Sequence, residues 1–292
     1  MMPSFQIPFC KAKGLFLAAT LATLLAQRAF GQTGIGVADP STATVYLRNS
    51  LSGGAADTTF TYGAPGWTHF AGDWNGDGID TIGLYDPSTS TFYLRNSNSP
   101  GAPDATITFG APGWKPLVGD WNGDGIDTIG VYDPSTFTFY LRNSNTAGGA
   151  DISFSLGAAG FIPLVGNWDG LGGDGIGLYD PATSTFYLRN NLSSGTPDAI
   201  FAFGAAGWTP IIGDWNNDGT DTIGIINPST DTFYLRNSNT AGGPDIAPFQ
   251  FGTGSEQAFS FQTIPEPSAF ALLLTSIALC GTRRRRRVLD RS

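Results

Sequence analysis

The chain has 292 residues, 40 of them glycine and 19 proline, with 13% aromatic and only 13% charged residues. Such a composition describes a turn-rich all-β chain with enough residues for a sizeable core, and it argues against a helical one. Between Gln32 and Ile264, 22 acidic residues stand against six basic ones, a net charge of −16. A surface this acidic repels phosphate backbones, so no nucleic-acid partner is expected.

Residues 1–31 read as an export signal. Lys11 and Lys13 precede an apolar run from Gly14 to Ala26, and Ala29-Phe-Gly31 places small residues at the cleavage positions, so that Gln32 becomes the new N-terminus. The apolar run is short of the ~20 residues that a spanning helix needs. Cys10 lies in this segment and Cys280 near the other end of the chain, so the body between them has no disulfide. A bound metal is a natural substitute, because an ion that binds only the folded state adds its binding free energy to stability.

The body is repetitive. Tyr-Leu-Arg-Asn begins at Tyr46, Tyr93, Tyr140, Tyr187 and Tyr234, always 47 residues apart. Each unit divides into four strand-sized segments, for example Trp114–Gly119, Thr128–Tyr132, Phe137–Arg142 and Ile152–Leu156, with Asp133-Pro-Ser and Asn145-Thr-Ala-Gly-Gly as turns. Apolar residues alternate with small polar ones in the fourth segment (Phe60 and Tyr62, Ile107 and Phe109, Phe154 and Leu156, Phe201 and Phe203), which gives each strand one buried face. Four-stranded units at this period are propeller blades. The expected fold is therefore an all-β, five-bladed β-propeller over residues 32–262, with an open β-solenoid as the competing architecture. Whole blades run 67–113, 114–160, 161–207 and 208–253. Residues 34–66 hold three strands without a first, and 256–262 hold one strand without a blade; joined, they complete a closing blade and remove an exposed sheet edge.

In four units the first two segments are joined by an acidic loop, Gly72-Asp-Trp-Asn-Gly-Asp-Gly-Ile-Asp-Thr-Ile-Gly83 and its repeats at 119–130, 166–177 and 213–224. Oxygen-bearing side chains occupy alternate positions before a glycine, the D-x-[DN]-x-[DN]-G opening by which a loop gathers oxygens around a hard cation such as calcium. No helix follows, and the loop joins strands. In this setting it resembles the calcium loops of FG-GAP and VCBS-type repeats, a resemblance that covers residues 34 to 262 and implies a β-propeller with calcium between the first two strands of a blade. Carried over residue by residue, it implies the ligand sets Asp73, Asn75, Asp77, Ile79 and Asp80; Asp120, Asn122, Asp124, Ile126 and Asp127; and Asp214, Asn216, Asp218, Thr220 and Asp221. The family's last carboxylate sits at loop position nine. Here Asp80, Asp127 and Asp221 stand at position eight, and Thr81, Thr128 and Thr222 hold position nine. At 167–174 the aligned positions read Asn167, Asp169 and Leu171. Leucine offers no oxygen, so about three calcium ions are expected, with that loop empty.

Other recurring residues carry a blander reading. Trp74, Trp121, Trp168 and Trp215 lie inside the loops, and Trp168 persists where the ligand set has failed, which favours packing over a ligand role. Arg48, Arg95, Arg142, Arg189 and Arg236 recur with Asp39, Asp86, Asp133, Asp180 and Asn227, and an Arg–Asp pairing is expected. His69 is the sole histidine. Candidate catalytic side chains recur in every unit instead of converging once, so no enzyme is expected.

After the body come Pro265-Glu-Pro267, an apolar run over 268–282 and five arginines over 283–287. The order resembles the PEP-CTERM sorting signal over 263–292: a short membrane helix and a basic end that holds the C-terminus on the cytoplasmic side, recognised by an exosortase-type membrane peptidase. Fifteen residues reach only ~22 Å against a hydrocarbon core of ~30 Å, which suits a temporary anchor. The resemblance implies a Gram-negative envelope protein delivered to the outer surface or extracellular matrix. The expected function is a calcium-stabilised binding or structural module of that surface or matrix, with a glycan or matrix polymer as partner. The alternative is an exported polysaccharide-active hydrolase or lyase on the same scaffold.

Overall fold

The structure, a computed structural model, describes residues 32–254 and 256–263. The export signal over 1–31 and the sorting tail from 264 onward lie outside the described residues. Among the described residues no helix is long and apolar enough to cross a membrane.

The strands run in chain order as β1 (Thr33–Asp39), β2 (Thr44–Arg48) and β3 (Thr58–Thr61); β4 (Thr68–Gly72), β5 (Thr81–Asp86), β6 (Thr91–Leu94) and β7 (Ala105–Thr108); and β8 (Lys115–Gly119), β9 (Thr128–Asp133), β10 (Thr138–Leu141) and β11 (Ile152–Ser155). They continue as β12 (Ile162–Gly166), β13 (Gly175–Asp180), β14 (Thr185–Arg189) and β15 (Ala199–Ala202); β16 (Thr209–Gly213), β17 (Thr222–Asn227), β18 (Thr232–Leu235) and β19 (Phe249–Gln250); and β20 (Gln257–Gln262). Five antiparallel four-stranded sheets result. Four are consecutive meanders. The fifth has the order β20-β1-β2-β3, with Gly36 opposite Phe259 and Val37 opposite Ala258. The C-terminal strand thus supplies the missing first strand of the N-terminal blade, as the spacing predicts.

The innermost strands meet in sequence, β4 with β8, β8 with β12, β12 with β16, β16 with β20 and β20 with β4, so the ring is closed. This is a five-bladed propeller. An open solenoid, whose terminal coils would not meet, is ruled out.

The repeat writes each blade locally. Asp86 caps the turn after β5 by accepting from the N–H and Oγ of Ser88 and the hydroxyl of Thr89. The turn then closes through one residue with positive φ, at Ala43, Ser90, Phe137, Ser184 and Asp231 in the five blades. The expected Arg–Asp pairing is not what the structure shows. Arg95 instead folds over its own β6–β7 loop and donates to the carbonyls of Ser99, Pro100 and Ala102. Each aspartate is already satisfied by its turn, and a planar five-donor guanidinium organises a loop of backbone carbonyls well.

The core sits between blades, in five slabs. One joins Trp74, Tyr85 and Phe92 of one blade to Ile129 and Val131 of the next. The loop tryptophans are buried in these slabs, at 9% exposure for Trp74 and 8% for Trp168, in keeping with packing. The indole N–H of Trp74 donates to the Thr81 carbonyl at 3.1 Å. Room for the ring comes from Gly83, where a Cβ would stand 2.3 Å from Phe70 and 2.8 Å from Trp74. The aromatics that open the first strands, Trp67, Trp114, Phe161 and Trp208, stack on Tyr93, Tyr140, Tyr187 and Tyr234.

Candidate metal centre

Each acidic loop leaves its inner strand and turns back at once, and the first aspartate organises that turn. Asp73 Oδ1 accepts the N–H groups of Gly76 (2.8 Å) and Asp77 (3.1 Å), and Oδ2 accepts that of Gly78 (2.7 Å). Asn75 Oδ1 accepts the Asp77 N–H, Asp77 Oδ1 accepts the Ile79 N–H, and the Asn75 amide donates to Asp77 Oδ2 at 3.0 Å. Asp120, Asn122 and Asp124 repeat these bonds with the N–H groups of Gly123, Gly125 and Ile126. In the loop of Asp214, Asn216 and Asp218, Asp214 likewise accepts the N–H groups of Asp218 and Gly219, Asp218 accepts that of Thr220, and the Asn216 amide donates to Asp218. There Asn217 takes the place of a turn glycine at φ 58, a conformation that asparagine tolerates better than most residues. Positions one, three and five of the three loops are therefore brought together, with the backbone of Ile79, Ile126 and Thr220 at position seven beside them.

Position eight behaves differently, and sequence reasoning missed its role. The Asp73 N–H donates to Asp127 Oδ2 at 2.8 Å, and the Asp127 N–H returns to the Asp73 carbonyl at 2.8 Å. The same two-way clasp joins Asp120 to Asp174 and Asn167 to Asp221. At the ring closure, the Gln262 N–H donates to Asp80 Oδ2 and the Asp80 N–H to the Gln262 carbonyl. In the fifth blade Thr33 holds the corresponding place, 47 residues before Asp80, and its hydroxyl donates to the Asp214 carbonyl at 2.7 Å. Hydrogen bonds of Asp80, Asp127 and Asp221 thus run to the neighbouring blade, and these residues fasten one blade to the next. Asp174 does the same in the loop that has lost its ligand set. Its persistence at the 47-residue lag was the available signal, the same signal that marks Trp168 as structural.

Burial raises all four of these carboxyls, Asp127 to about 7 and Asp221 to about 6, and Asp80 and Asp174 well above the usual range. Repulsion adds to this, from Asp127 on both Asp80 and Asp174. Asp214 is also raised, first by burial. His69 is buried at 2% exposure; its Nε2 lies 3.2 Å from the Tyr62 carbonyl, and burial depresses its pKa. It is a packed core residue.

Among the described residues no three His, Cys, Asp or Glu side chains converge so as to hold a metal ion. The reason is visible in the loops: each gathers two carboxylates and takes its third side-chain oxygen from an asparagine. Such a set fits a hard divalent cation through positions one, three and five together with a backbone carbonyl. It carries two negative charges, enough to neutralise one calcium ion, and no third carboxylate. At 167–174 the Leu171 N–H donates to Asp169 Oδ1, and Leu171 itself is 84% exposed. The Asn167 amide turns instead toward the Gly219 carbonyl of the next loop, at 3.4 Å.

The chain matches no protein-family model. No curated protein matches it either. Among solved structures it is similar to a lectin from Agrocybe aegerita whose structure concerns recognition of non-reducing terminal N-acetylglucosamine, at 17% identity and a TM-score of 0.41 over 76% of this chain and 66% of the lectin. It is also similar to BBS1N solved in complex with ARL6DN, at 10% identity and a TM-score of 0.36, over 77% of this chain and 67% of that one. This chain spans about two thirds of each protein's length, and at these TM-scores neither likeness bears on its ligand.

Proposed function

We propose that the protein is an exported, calcium-stabilised propeller that serves as a binding or structural module of the cell surface or extracellular matrix. The observation that carries this reading is the loop: the same cage of two aspartates and one asparagine, closed by equivalent hydrogen bonds, occurs in three blades. Calcium would be held by Asp73, Asn75 and Asp77, by Asp120, Asn122 and Asp124, and by Asp214, Asn216 and Asp218, with position-seven carbonyls completing each set. The low carboxylate count puts these sites in the weak range of extracellular modules, with dissociation constants of about 10⁻⁴–10⁻³ M. Such affinity suits a compartment where calcium is abundant.

Export and exosortase-type sorting rest on the terminal segments. The acidic body and its repeated units favour adhesion to a glycan or matrix polymer over turnover of one. The test combines a glycan array with a hydrolysis panel on the purified protein, in calcium and in chelator. Measurable turnover abolished by one point substitution would overturn the binding reading. Stable folding in calcium with no turnover, and capture on the array, is the expected result.

A further inference from the structure

Several departures from the repeat fall together on one blade interface. Tyr85, Tyr132 and Tyr179 recur at the 47-residue lag, and the two remaining blades carry Ala38 and Ile226 at that position. All three tyrosines are buried to 1% or less, against neighbouring rings. The strand register aligns Glu256 with Trp67, since Ala38 pairs with Gln257 as Tyr85 pairs with Thr68. The glycine beside that position confirms the exchange of neighbours. A Cβ on Gly110 would stand 3.2 Å from the Trp114 ring, whereas on Gly252 it would stand 3.4 Å from a Glu256 carboxylate oxygen. One interface has thus lost a tyrosine and a large aromatic ring together, where β20 closes on the blade of β16–β19.

A cavity of about 230 Å³ occupies this place. Its buried apolar wall comes from Val37, Ile226, Phe233 and Phe251, at 3%, 7%, 1% and 7% exposure. Its partly exposed side carries the carboxylates of Asp231 and Glu256, and neither lysine nor arginine lines it. Glu256 is fixed in position, because the Thr253 N–H and hydroxyl both donate to it, at 2.8 and 2.5 Å.

We propose that this cavity is a ligand site for a small organic ammonium ion with an aliphatic body. Apolar walls with few convergent polar groups are what a small-molecule site needs. Two carboxylates on one side select positive charge and reject anions, while the buried phenylalanine and aliphatic wall disfavours a bare, strongly hydrated metal ion. Burial and the Glu256 charge both raise the Asp231 pKa, a strain that a bound ammonium relieves. The site is separate from the acidic loops and does not depend on the calcium reading.

The test uses the full chain in saturating calcium, with n-butylammonium as probe and n-butanol as its neutral counterpart, read by ligand-observed NMR at millimolar concentration. Two variants accompany it. Asp231→Asn removes one charge, and Ile226→Tyr restores the residue that three of the other blades carry and fills the cavity. Binding of butylammonium without butanol, weakened at least about tenfold by Asp231→Asn and lost in a folded Ile226→Tyr, is the expected result. No binding of butylammonium, equal binding of butanol, or full binding to either variant would overturn the proposal. Asp231 is partly exposed, so the Asn variant decides the matter even if the tyrosine cannot be accommodated.

Discussion

The loop at 73–80 and the loop at 167–174 occupy the same place in two blades, yet only one keeps the oxygens at positions one, three and five. In the first, Asp73 gathers three backbone N–H groups, and Asn75 and Asp77 are bonded beside it. In the second, Leu171 projects into solvent and Asn167 turns away to the next loop. What both share is the residue at position eight, whose carboxylate crosses to a neighbouring blade, and the buried tryptophan at position two. The comparison separates two jobs within one motif. The odd positions, to which we assign the proposed cation cage, are ones a blade can lose; fastening the ring belongs to position eight, which it keeps.

The largest effect should come from removing the fastener together with its strand. Asp80 bonds to Gln262 within β20, and β20 completes the first blade. Ending the chain after Thr253 exposes the edge of β1 and strips Asp80 of its partner. In a closed ring every interface depends on that seam, whereas an open array has neighbour terms only. Thermal unfolding in saturating calcium should show a loss well beyond that of a frayed terminus; an unchanged midpoint would mean the strand adds nothing to the ring.

Next come the fasteners singly. Asp127→Ala and Asp174→Ala each leave a neighbouring N–H, that of Asp73 or Asp120, without its acceptor, at a cost of about 1–3 kcal/mol. For a body of this size that lowers the midpoint by about 2–4 °C per kcal/mol. The two losses should be alike although only one loop is a cage. Asparagine at either place keeps an acceptor without the charge and should cost less than alanine. A much smaller effect of Asp174→Ala would tie position eight to the cage after all.

Acidity gives a third, smaller contrast. Asp127 at about 7 and Asp221 at about 6 hold protons more tightly in the folded state than in the unfolded chain, where aspartate titrates near ~3.9. The folded state therefore binds more protons between those values, and stability increases as pH falls through the window. Asp39, Asp86, Asp133 and Asp180 act in the opposite sense. Hydrogen bonds from Ser41, Ser88, Ser135 and Thr183, respectively, hold them low; their contribution is present above the unfolded value and is lost as pH falls through the lowered ones. In chelator the midpoint should rise from about pH 8 to about pH 5 and drop below about pH 4. The rise should shrink in Asp127→Asn.

Much of this was legible in the sequence because the repeat is so regular. The 47-residue lag, the strand-sized segments and the lone strand at 256–262 led to a closed five-bladed ring. Positions one, three and five could be read because alternate oxygens before a glycine have a local consequence. The role of position eight could not be read that way, since its partner lies in another blade, 54 residues away in the case of Asp127 and Asp73. The Arg–Asp expectation failed for a related reason. Spacing brings Arg95 and Asp86 into one blade, but the turn residues Ser88 and Thr89 reach the aspartate first.

The most direct test of the separation between cage and fastener is calorimetric titration of the purified protein with calcium. Close to three ions per chain are expected, two after Asp77→Ala, Asp124→Ala or Asp218→Ala, and still three after Leu171→Ala or Asp174→Asn. No binding, or a stoichiometry that falls when Asp174 is changed, would contradict that separation.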